Sequence, residues 1–591
     1  MDFYTGKVLR IDLTAGTTRV EDLDADYARL YVGGKGLLFR YLWDEVAPGL
    51  DPLSPESPLI LAPGVFAGTA VATCSRLGVG FKSPQTGTIM DTYVGGSFGA
   101  EMRFAGYDLI IVTGAAPAPT VINIRDDVVE LRDAAKYWGM TTGDLEAALR
   151  EDLGVQTKIL SMGPAGETMI PWACISVDHF HKAGRGGGGA VMGSKNLKAI
   201  AVRGTGSISV GDAREFLADL HRMHGKYFLA PAHIWAWEEG TPVLVDVMNN
   251  GGTLPTYNFT TSGTDLAKGL NSESFLKIRQ RKRACYQCVM ACRNFHSVDG
   301  VEGEGPEYET IAICGPNCGI GDIAALVKYN AECDELGLDT VTTGVVTGLA
   351  MDLTERGVHD FGLRFGDIDA YLEVPKLIAA RKGIGAELCE GSRAVATRYG
   401  EPGNAMQVKD LELPGYDARA TFGMSLAYAT SDRGGCHMRS YPAMDEITTG
   451  TLPPDSLEGK ALYNIDGQNI SSVRWTGVFC DFWFPSANEI AQVWRHLYRR
   501  KVADEEVLLV GERIWNLGRL FNVREGFTPA DDSIPEFMLT RPLKGGVAAG
   551  KVITVERFKA ALGEYYKLRG WDEQGVPSEA KLEDLGVDVR L

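Results

Sequence analysis

The sequence predicts an α+β fold, in which a β-rich first domain is followed by two mainly helical domains. Three observations support this prediction. The chain has 591 residues, whereas a single hydrophobic core stops growing at about 250–300 residues. Short strand-like runs separated by glycine fill the first third of the chain, and helical periodicity fills the rest. We therefore predict three domains, at residues 1–207, 208–411 and 412–591.

The strand predictions come from short runs in the first region. Residues 7–13 alternate polar and apolar side chains, as a half-buried strand does, and residues 59–63, 75–81 and 109–112 are further candidates. Residues 91–100 are typical of a glycine turn that leads into a helix. This density of strands is what makes the first domain β-rich.

The most glycine-rich segment spans residues 182–193. Glycine permits positive φ angles and a close approach of the backbone to a ligand. The residues that follow, 194–198, could open a helix whose N–H groups face an anion. A plain turn in a β-rich region is an equally good interpretation, because the residue order of a Walker phosphate loop is absent.

Amphipathic patterns predict helices in the second and third regions. They fall at residues 212–221, 324–336, 376–382, 386–399, 487–500 and 505–522. The sequence shows no internal repeat and no low-complexity segment. Both regions behind the first domain are therefore expected to be mainly helical.

Composition narrows the classes of function. The formal net charge is −18, which argues against a nucleic-acid partner, since such a partner requires a basic face. No run of 18 or more apolar residues predicts a membrane span, and no apolar signal segment is visible at the start. Eleven cysteines without an export signal are typical of a reducing compartment. We therefore expect a cytoplasmic protein.

Three cysteines form the most informative motif, a C-x2-C-x3-C run of Cys285, Cys288 and Cys292. Iron–sulfur clusters are held by four thiolates, so the fourth must come from elsewhere in the chain. A zinc site and packed, reduced thiols are the alternatives, although zinc usually takes two C-x2-C pairs or a Cys and His pair. Cys480, in an apolar segment, is a credible fourth ligand. The competing candidates are Cys314, Cys318 and Cys436.

Carboxylates and a histidine supply candidate acid–base groups. Residues 302–309 contain four glutamates next to an apolar run. We expect at least one to face inward, where burial raises the pKa and permits proton exchange near neutrality; a solvated surface is the alternative. Residues 331–340 end a helix at a glycine between carboxylates, which a glycine cap also explains. His437 lies on a glycine turn and has a structural interpretation as well as a catalytic one.

These motifs follow one another along nearly the whole chain, and in this order they resemble the aldehyde:ferredoxin oxidoreductases, a family of tungsten-bispterin enzymes. The cysteine run is one of the matching pieces. The others are residues 6–13, 82–87, 99–101, 105–108, 189–195, 305–310, 333–339, 427–437 and 519–526. The resemblance implies that the β-rich domain forms a base under two pterins and that the helical domains cover them.

The resemblance also implies a role for individual residues. Cys285, Cys288, Cys292 and Cys480 would hold one [4Fe–4S] cluster, and Arg76 would bridge the cluster and a pterin, as its planar charged fork permits. Pterin phosphates would lie on the loops at Tyr93 to Gly95 and at Ala183, Gly184 and Arg185. The carbonyl groups of Tyr93 and Ala183 would contact Mg²⁺. One pterin would be bound by Asp334, Gly337, Leu338 and Asp339.

Glu309 and His437 would lie at the tungsten, as general base and as hydrogen-bond donor to the substrate oxygen. The implied activity is oxidation of an aldehyde to a carboxylic acid, with electrons passed through the cluster to ferredoxin or a ferredoxin-like subunit. The resemblance does not exclude molybdenum in place of tungsten. It also leaves open whether the protein forms a homodimer or a hetero-oligomer. Two rival functions are a tungsten-bispterin reductase of an aromatic acyl-CoA and a pterin-free iron–sulfur relay subunit.

The sequence departs from the family pattern at two places. The family has a D-x-x-G-L-C motif that ends at the fourth cysteine, whereas residues 475–480 read WTGVFC. The second contact to one pterin is therefore altered. Cys314 and Cys318 add two thiols close to the predicted site, either as ligands near the metal or as packed thiols.

Overall fold

A computed structural model of the chain describes residues 2–228, 230 and 233–591. The first region forms two six-stranded sheets. The strands of the first sheet are β1 (Lys7–Asp12), β2 (Thr17–Asp22), β3 (Leu59–Pro63), β4 (Leu77–Lys82), β5 (Ile89–Val94) and β6 (Leu109–Thr113). Their order is β2-β1-β6-β3-β4-β5, with β1 and β6 parallel and the other pairs antiparallel.

The second sheet completes the β-rich region. Its strands are β7 (Thr120–Arg125), β8 (Val128–Asp133), β9 (Lys158–Met162), β10 (Ile175–Val177), β11 (His181–Ala183) and β12 (Leu197–Arg203). Their order is β11-β10-β9-β12-β7-β8, and only β12 and β7 run parallel. The end of β5 lies beside the start of β11, since a Cβ at Gly95 would lie 3.1 Å from His181 Nδ1.

The helices fill the rest of the structure. Those of the first region are α1 (Ala25–Tyr31), α2 (Gly34–Glu45), α3 (Phe98–Phe104), α4 (Thr142–Leu153), α5 (Pro164–Glu167) and α6 (Gly188–Ser194). The second region has α7 (Ala213–Tyr227), α8 (Ile234–Glu238), α9 (Leu244–Asn250), α10 (Ser272–Ile278), α11 (Tyr308–Cys314), α12 (Ile323–Leu336), α13 (Thr340–Glu355), α14 (Ile368–Ala379), α15 (Gly385–Leu388) and α16 (Ser392–Arg398). The third has α17 (Phe422–Thr430), α18 (Lys460–Arg474), α19 (Ala487–Tyr498), α20 (Asp504–Arg524), α21 (Glu536–Thr540), α22 (Val555–Arg569) and α23 (Glu579–Asp584).

Length and apolar character decide whether a helix in the described part of the chain can cross a bilayer. No single helix there has the length and apolar character to cross a bilayer. The bent pair Tyr308–Cys318 and Ile323–Leu336 meets the length and composition criteria only when the two helices are taken together.

A third, smaller sheet surrounds the cysteine run. It contains β13 (Arg279–Arg283), β14 (Arg293–Val298) and β15 (Val301–Glu304), all antiparallel. The cysteines occupy the connection between β13 and β14. A short hairpin of β16 (Gln407–Val408) and β17 (Leu411–Glu412) lies later in the chain. None of these five strands was predicted from the sequence; β13, for example, is almost entirely basic and shows no apolar alternation.

The fold class is confirmed: a β-rich first region precedes mainly helical second and third regions. One local prediction is wrong. Residues 194–198 do not open a helix, since α6 ends at Ser194 and β12 begins at Leu197. The glycine-rich segment forms the helix instead, because it packs tightly on α5: a Cβ at Gly193 would lie 1.9 Å from the Gly166 carbonyl oxygen.

Two more close contacts fix the helices on the first sheet. A Cβ at Gly80 in β4 would lie 2.9 Å from Leu38 of α2, so glycine lets this helix lie directly on the strand. A Cβ at Gly518 in α20 would lie 2.6 Å from the ring of Phe39, which joins the third region to the first. The two ends of the chain therefore share one hydrophobic cluster.

Candidate active site

A cavity of about 400 Å³ is lined by residues from all three regions. This volume lies within the range of about 300–1,000 Å³ that is typical of organic ligands. Twelve of the sixteen residues predicted from the sequence line it: Arg76, Tyr93, Gly95, Gly184, Arg185, Cys285, Cys288, Cys292, Glu309, Asp339, His437 and Cys480. The other four, Ala183, Asp334, Gly337 and Leu338, are close in sequence to residues that line it.

The four predicted cluster cysteines share this cavity. The loop that carries the first three is sharply turned, since Gln287 and Ala291 both have positive φ angles, of 54° and 41°. Such conformations are uncommon for residues other than glycine. They let successive sulfurs face one side. Burial raises the pKa of Cys288 to about 12, so its thiol keeps the proton unless a metal cation replaces it.

Zinc stays an alternative to a cluster at the cysteine run. A single zinc ion would require its sulfur ligands to converge at about 2.3 Å from one point. Within residues 2–228, 230 and 233–591, no group of three or more His, Cys, Asp or Glu side chains is arranged to hold a single metal ion. Thiolates around a cluster bind different iron atoms and need not converge in this way.

Exposure separates the four predicted cysteines from the other seven. Those four are partly exposed, whereas every other cysteine is buried, and none forms a disulfide. Cys314 donates to the Thr340 carbonyl over 3.2 Å, Cys318 packs against the Ile313 carbonyl, and neither lines the cavity. Cys436 accepts a hydrogen bond from Arg433 over 3.1 Å. The three competing candidates for the fourth ligand are therefore packed elsewhere.

Arg76, which immediately precedes β4, connects two parts of the site. Its Nη1 donates to Cys480 Sγ over 3.2 Å, and its Nη2 donates to the Tyr93 carbonyl over 3.4 Å. Its Nε is buried without a hydrogen-bond partner. The guanidinium group thus spans from a cysteine to the predicted pterin loop, and its role as a bridge between cluster and pterin stays a prediction.

Glycines keep the predicted phosphate loops open. A Cβ at Gly95 would lie 2.7 Å from Cys285 Sγ, so no larger residue fits between the loop and the cysteine. A Cβ at Gly184 would have no neighbour closer than 4.0 Å, because that residue faces the cavity. Arg185 follows it, with Nε 3.2 Å from Asp339 Oδ2 and Nη2 donating to the Glu412 carbonyl over 2.7 Å.

The segment from Asp334 to Asp339 joins two helices. Gly337 ends α12 in the left-handed conformation, as the glycine-cap interpretation predicts, and Asp339 caps α13 by accepting from the Val341 N–H over 3.0 Å. Asp334 accepts from Asn330 over 3.1 Å. Only Asp339 reaches the cavity, so the local structure accounts for most of this motif without a ligand. The predicted contact of this motif with a pterin stays a prediction.

Glu309 and His437 meet in the cavity. Glu309 lies in the first turn of α11 and accepts from the Gly415 N–H through Oε2 over 2.8 Å. Its Oε1 lies 3.2 Å from His437 Nε2 and has no well-oriented hydrogen-bond donor. The His437 ring packs against Tyr416 and Tyr441, whose ring centroids lie 5.3 Å and 5.9 Å from its own. One carboxylate oxygen is therefore available to a ligand.

The electrostatics of this pair suit proton transfer at neutral pH. Burial raises the pKa of Glu309 to about 7, although the Gly415 N–H opposes the shift. Burial, together with three nearby arginines, lowers the pKa of His437 to about 3. The imidazole is thus neutral, and the carboxyl group titrates near physiological pH. Such matched values favour general acid–base chemistry.

Several cavity residues were not found from the sequence. Arg293 and Arg433 line the cavity, and both lie within or next to quoted motifs, so their position was a usable signal. Tyr416 carried no such signal. Trp475, at the start of the altered WTGVFC motif, packs on Tyr93, and its Nε1 is buried without a hydrogen-bond partner. A neutral donor therefore stands where the family pattern has a carboxylate.

These features fit a large anionic cofactor. Five cationic side chains line the cavity: Arg76, Lys182, Arg185, Arg293 and Arg433. The Nε atoms of Arg76 and Arg433 are buried without hydrogen-bond partners. Buried polar groups are normally satisfied, so these atoms indicate a missing acceptor. The donor set and the glycine loops together suit phosphate groups.

The fold and the cavity indicate a cofactor-dependent oxidoreductase. Its first region matches the model of the aldehyde ferredoxin oxidoreductase N-terminal domain over residues 8–204, and residues 226–587 match the model of domains 2 and 3 of the same family. The chain belongs to the aldehyde ferredoxin oxidoreductase family.

Individual relatives agree with this assignment. The tungsten-containing aldehyde ferredoxin oxidoreductase of Pyrococcus furiosus is 39% identical over 599 residues, which cover 98% of each chain. The enzyme of that name from Thermococcus kodakarensis is 39% identical over 600 residues, again 98% of each chain. The solved active-site complex BamBC of benzoyl coenzyme A reductase, bound to 1,5-dienoyl-CoA, superposes with a TM-score of 0.86 at 24% identity, over 99% of this chain and 97% of that one. The last similarity concerns the fold alone.

Proposed function

We propose that this protein oxidises aldehydes to carboxylic acids at a tungsten-pterin cofactor, and that the electrons leave through a [4Fe–4S] cluster to ferredoxin or a ferredoxin-like subunit. One observation carries the proposal: the Glu309–His437 pair and the four cysteines open onto the same cavity. The relatives named above, which contain tungsten and act on aldehydes with ferredoxin, support it. When bound, the tungsten centre would accept the two electrons of the oxidation, which no side chain can do.

The family resemblance implies which residues would hold the cofactors, and all of those named here except Ala183 line the cavity. Cys285, Cys288, Cys292 and Cys480 would bind the cluster, with Arg76 between it and a pterin. The glycine loops after β5 and β11, with Arg185, would receive the phosphate groups, and the carbonyl groups of Tyr93 and Ala183 would contact Mg²⁺. Hard oxygen ligands of this kind suit magnesium. Molybdenum would be held in the same way, because pterin sulfurs rather than side chains bind the metal.

Glu309 would act as the general base. Its free Oε1 faces the cavity and can accept the proton that is released when the aldehyde carbon gains an oxygen. With its pKa near 7, the carboxylate is substantially ionised at neutral pH and still returns the proton readily. The Gly415 N–H holds the other oxygen and thereby fixes the direction of the free one.

His437 would bind the substrate oxygen. Its lowered pKa keeps the imidazole neutral, so that Nε2–H can donate a hydrogen bond without carrying a proton away. Charge that develops on the aldehyde oxygen would strengthen this hydrogen bond. The packing of the ring against Tyr416 and Tyr441 limits its rotation. Glu309 would thus accept the proton, and His437 would orient the substrate.

Metal analysis combined with substrate assays tests this proposal. The purified protein should contain tungsten and about four irons per chain, and it should reduce a dye acceptor with a panel of aldehydes. Reduction of an aromatic acyl-CoA thioester without aldehyde oxidation would instead favour the reductase function. Iron without tungsten or molybdenum would indicate a relay subunit. A cytoplasmic location and the oligomeric state stay predictions.

A further inference from the structure

Positive charge is concentrated at one place on this acidic protein. The chain carries a net charge of −18, yet residues 274–298 contain six basic residues and no aspartate or glutamate. The six are Lys277, Arg279, Arg281, Lys282, Arg283 and Arg293. This stretch contains the C-x2-C-x3-C run. The local reversal of charge therefore coincides with the predicted cluster.

Strand β13, which we call the basic strand (Arg279–Arg283), presents part of this charge to solvent. It is an edge strand, paired with β14. Lys282 points inward, and its Nζ donates to the Cys292 carbonyl over 3.3 Å. Arg281 and Arg283 lie on the opposite face and are exposed. The strand therefore supports the cysteine loop with one side chain and displays charge with the others.

Ion pairs within the protein do not neutralise all of this positive charge. Arg283 forms an ion pair with Glu304 at 2.9 Å. Within the described ranges, Arg279 and Arg281 have no carboxylate within 4 Å; Arg281 lies over the Phe295 ring at 4.1 Å instead. Nor are they needed to compensate the cluster, because Arg76 already contacts Cys480 and Arg293 is next to Cys292. Arg279 is partly buried and donates to the Glu238 carbonyl, but it has no counter-charge in the described part of the chain, so the positive charge of both guanidinium groups remains uncompensated.

The cysteines approach the surface at the same place. Ala284 alone separates the basic strand from Cys285, and Val289, between two predicted ligands, is 48% exposed. A second cleft of about 560 Å³ lies beside Cys285; there Glu146 and Asp178 pair with Arg150, and Lys158 and Arg283 add positive charge. An apolar contact bordered by positive charge is typical of a transient interface between oppositely charged proteins. The distance from the cluster to the protein surface would therefore be short at this place.

We propose that the basic strand and Val289 form the docking surface for an acidic one-electron carrier protein of the ferredoxin class. The inference rests on the proposed function, since it assumes that electrons leave through the cluster. The negative partner would be attracted to Arg279 and Arg281 and would place its own redox centre over the cysteine loop. Steering by charge chiefly raises the association rate and is weakened by salt.

The test compares two electron acceptors with the tungsten-loaded enzyme. The double substitution Arg279→Glu and Arg281→Glu should raise KM for an acidic ferredoxin by about tenfold or more at low ionic strength, and added salt should shrink the difference. Activity with a saturating small dye acceptor should stay within about twofold of wild type. Lys559→Glu with Lys567→Glu, at exposed positions of α22 that contribute nothing to the cavity, makes the same change of net charge and should leave both assays unchanged.

The outcomes separate the docking proposal from the proposed function. If the wild-type enzyme oxidises no aldehyde with the dye, the proposed function fails. If dye activity is present but the double substitution leaves KM for ferredoxin unchanged, or wild type does not reduce ferredoxin, the docking surface is wrong. A change in oligomeric mass without a change in that KM would identify the strand as an interface between copies and would also overturn the proposal.

Discussion

The guanidinium group of Arg76 donates a hydrogen bond to the sulfur of Cys480 over 3.2 Å, and the two residues are 404 positions apart in the chain. This contact joins the strand β4 region to the loop after α18. It also places one positive charge between the predicted cluster and the Tyr93 carbonyl. An always-charged, planar group can make both contacts at once, whereas an ammonium group offers a single point of charge.

Replacement of Arg76 by lysine should therefore impair electron transfer more than assembly. The charge is kept, so iron content should stay near the wild-type value, but one of the two hydrogen bonds must be lost. We expect dye-coupled turnover to fall about tenfold, since a hydrogen bond to a charged group contributes about 1.5–3 kcal/mol. The redox potential of the cluster, measured by a spectroscopic titration, should shift. An unchanged potential together with unchanged turnover would contradict this role.

The identity of the fourth cluster ligand can be tested by paired serine substitutions. Cys480→Ser should lower the iron content and alter the spectrum of the cluster, because a [4Fe–4S] cluster normally requires four thiolates. Cys436→Ser is the matched control, since Cys436 is buried and bound to Arg433 rather than placed at the cavity. If Cys436→Ser loses iron while Cys480→Ser keeps it, the assignment of Cys480 is wrong.

The sequence predicted the parts of the site that local spacing or a family pattern records. The C-x2-C-x3-C run was visible directly, whereas Cys480 was chosen over Cys314, Cys318 and Cys436 only through the resemblance. Burial separates these thiols in the structure, and burial depends on packing between distant segments. Spacing alone could not supply it.

The basic strand and Tyr416 illustrate what remained hidden. β13 forms although its side chains are mostly charged, because pairing with β14 stabilises it in the absence of apolar alternation. Tyr416 reaches His437 through the fold of a loop that has no motif. In contrast, apolar runs such as Leu59–Pro63, which are buried in the structure, predicted strands of the six-stranded sheets. Periodicity therefore predicted the core better than the cavity.

Glu309→Gln should abolish most of the activity while tungsten and iron contents stay the same. Loss of a general base typically costs about 10²- to 10⁴-fold in rate. In wild type the active form is the carboxylate, so kcat/KM should rise with pH and level off above the pKa of about 7. His437, with a pKa of about 3, should add no inflection in this range. Retention of activity within a few-fold would show that Glu309 is not the base.

Glu412→Gln provides a matched control for the pH profile. Burial also raises the pKa of Glu412 to about 7, but its side chain binds Ser392 and does not line the cavity. The substituted enzyme should keep the inflection near pH 7. If the inflection disappears in this variant and persists in Glu309→Gln, the titrating group has been assigned to the wrong carboxylate.

The ionised Glu309 carboxylate should lower the free energy of unfolding of the cofactor-free protein. The pKa of Glu309 is raised from 4.5 to about 7 on folding, so the folded state favours the protonated form. The contribution of this group to the free energy of unfolding is highest below about pH 4.5, where the carboxyl group is protonated in both states. It falls as the pH rises to about 7 and then stays constant, about 3 kcal/mol lower than at acid pH. Glu309→Gln should therefore unfold at a higher temperature than wild type at pH 8, with a smaller difference at pH 5. Calorimetry at the two pH values measures this, and a less stable variant at pH 8 would argue that the carboxylate is better solvated or better paired than its position in the cavity indicates.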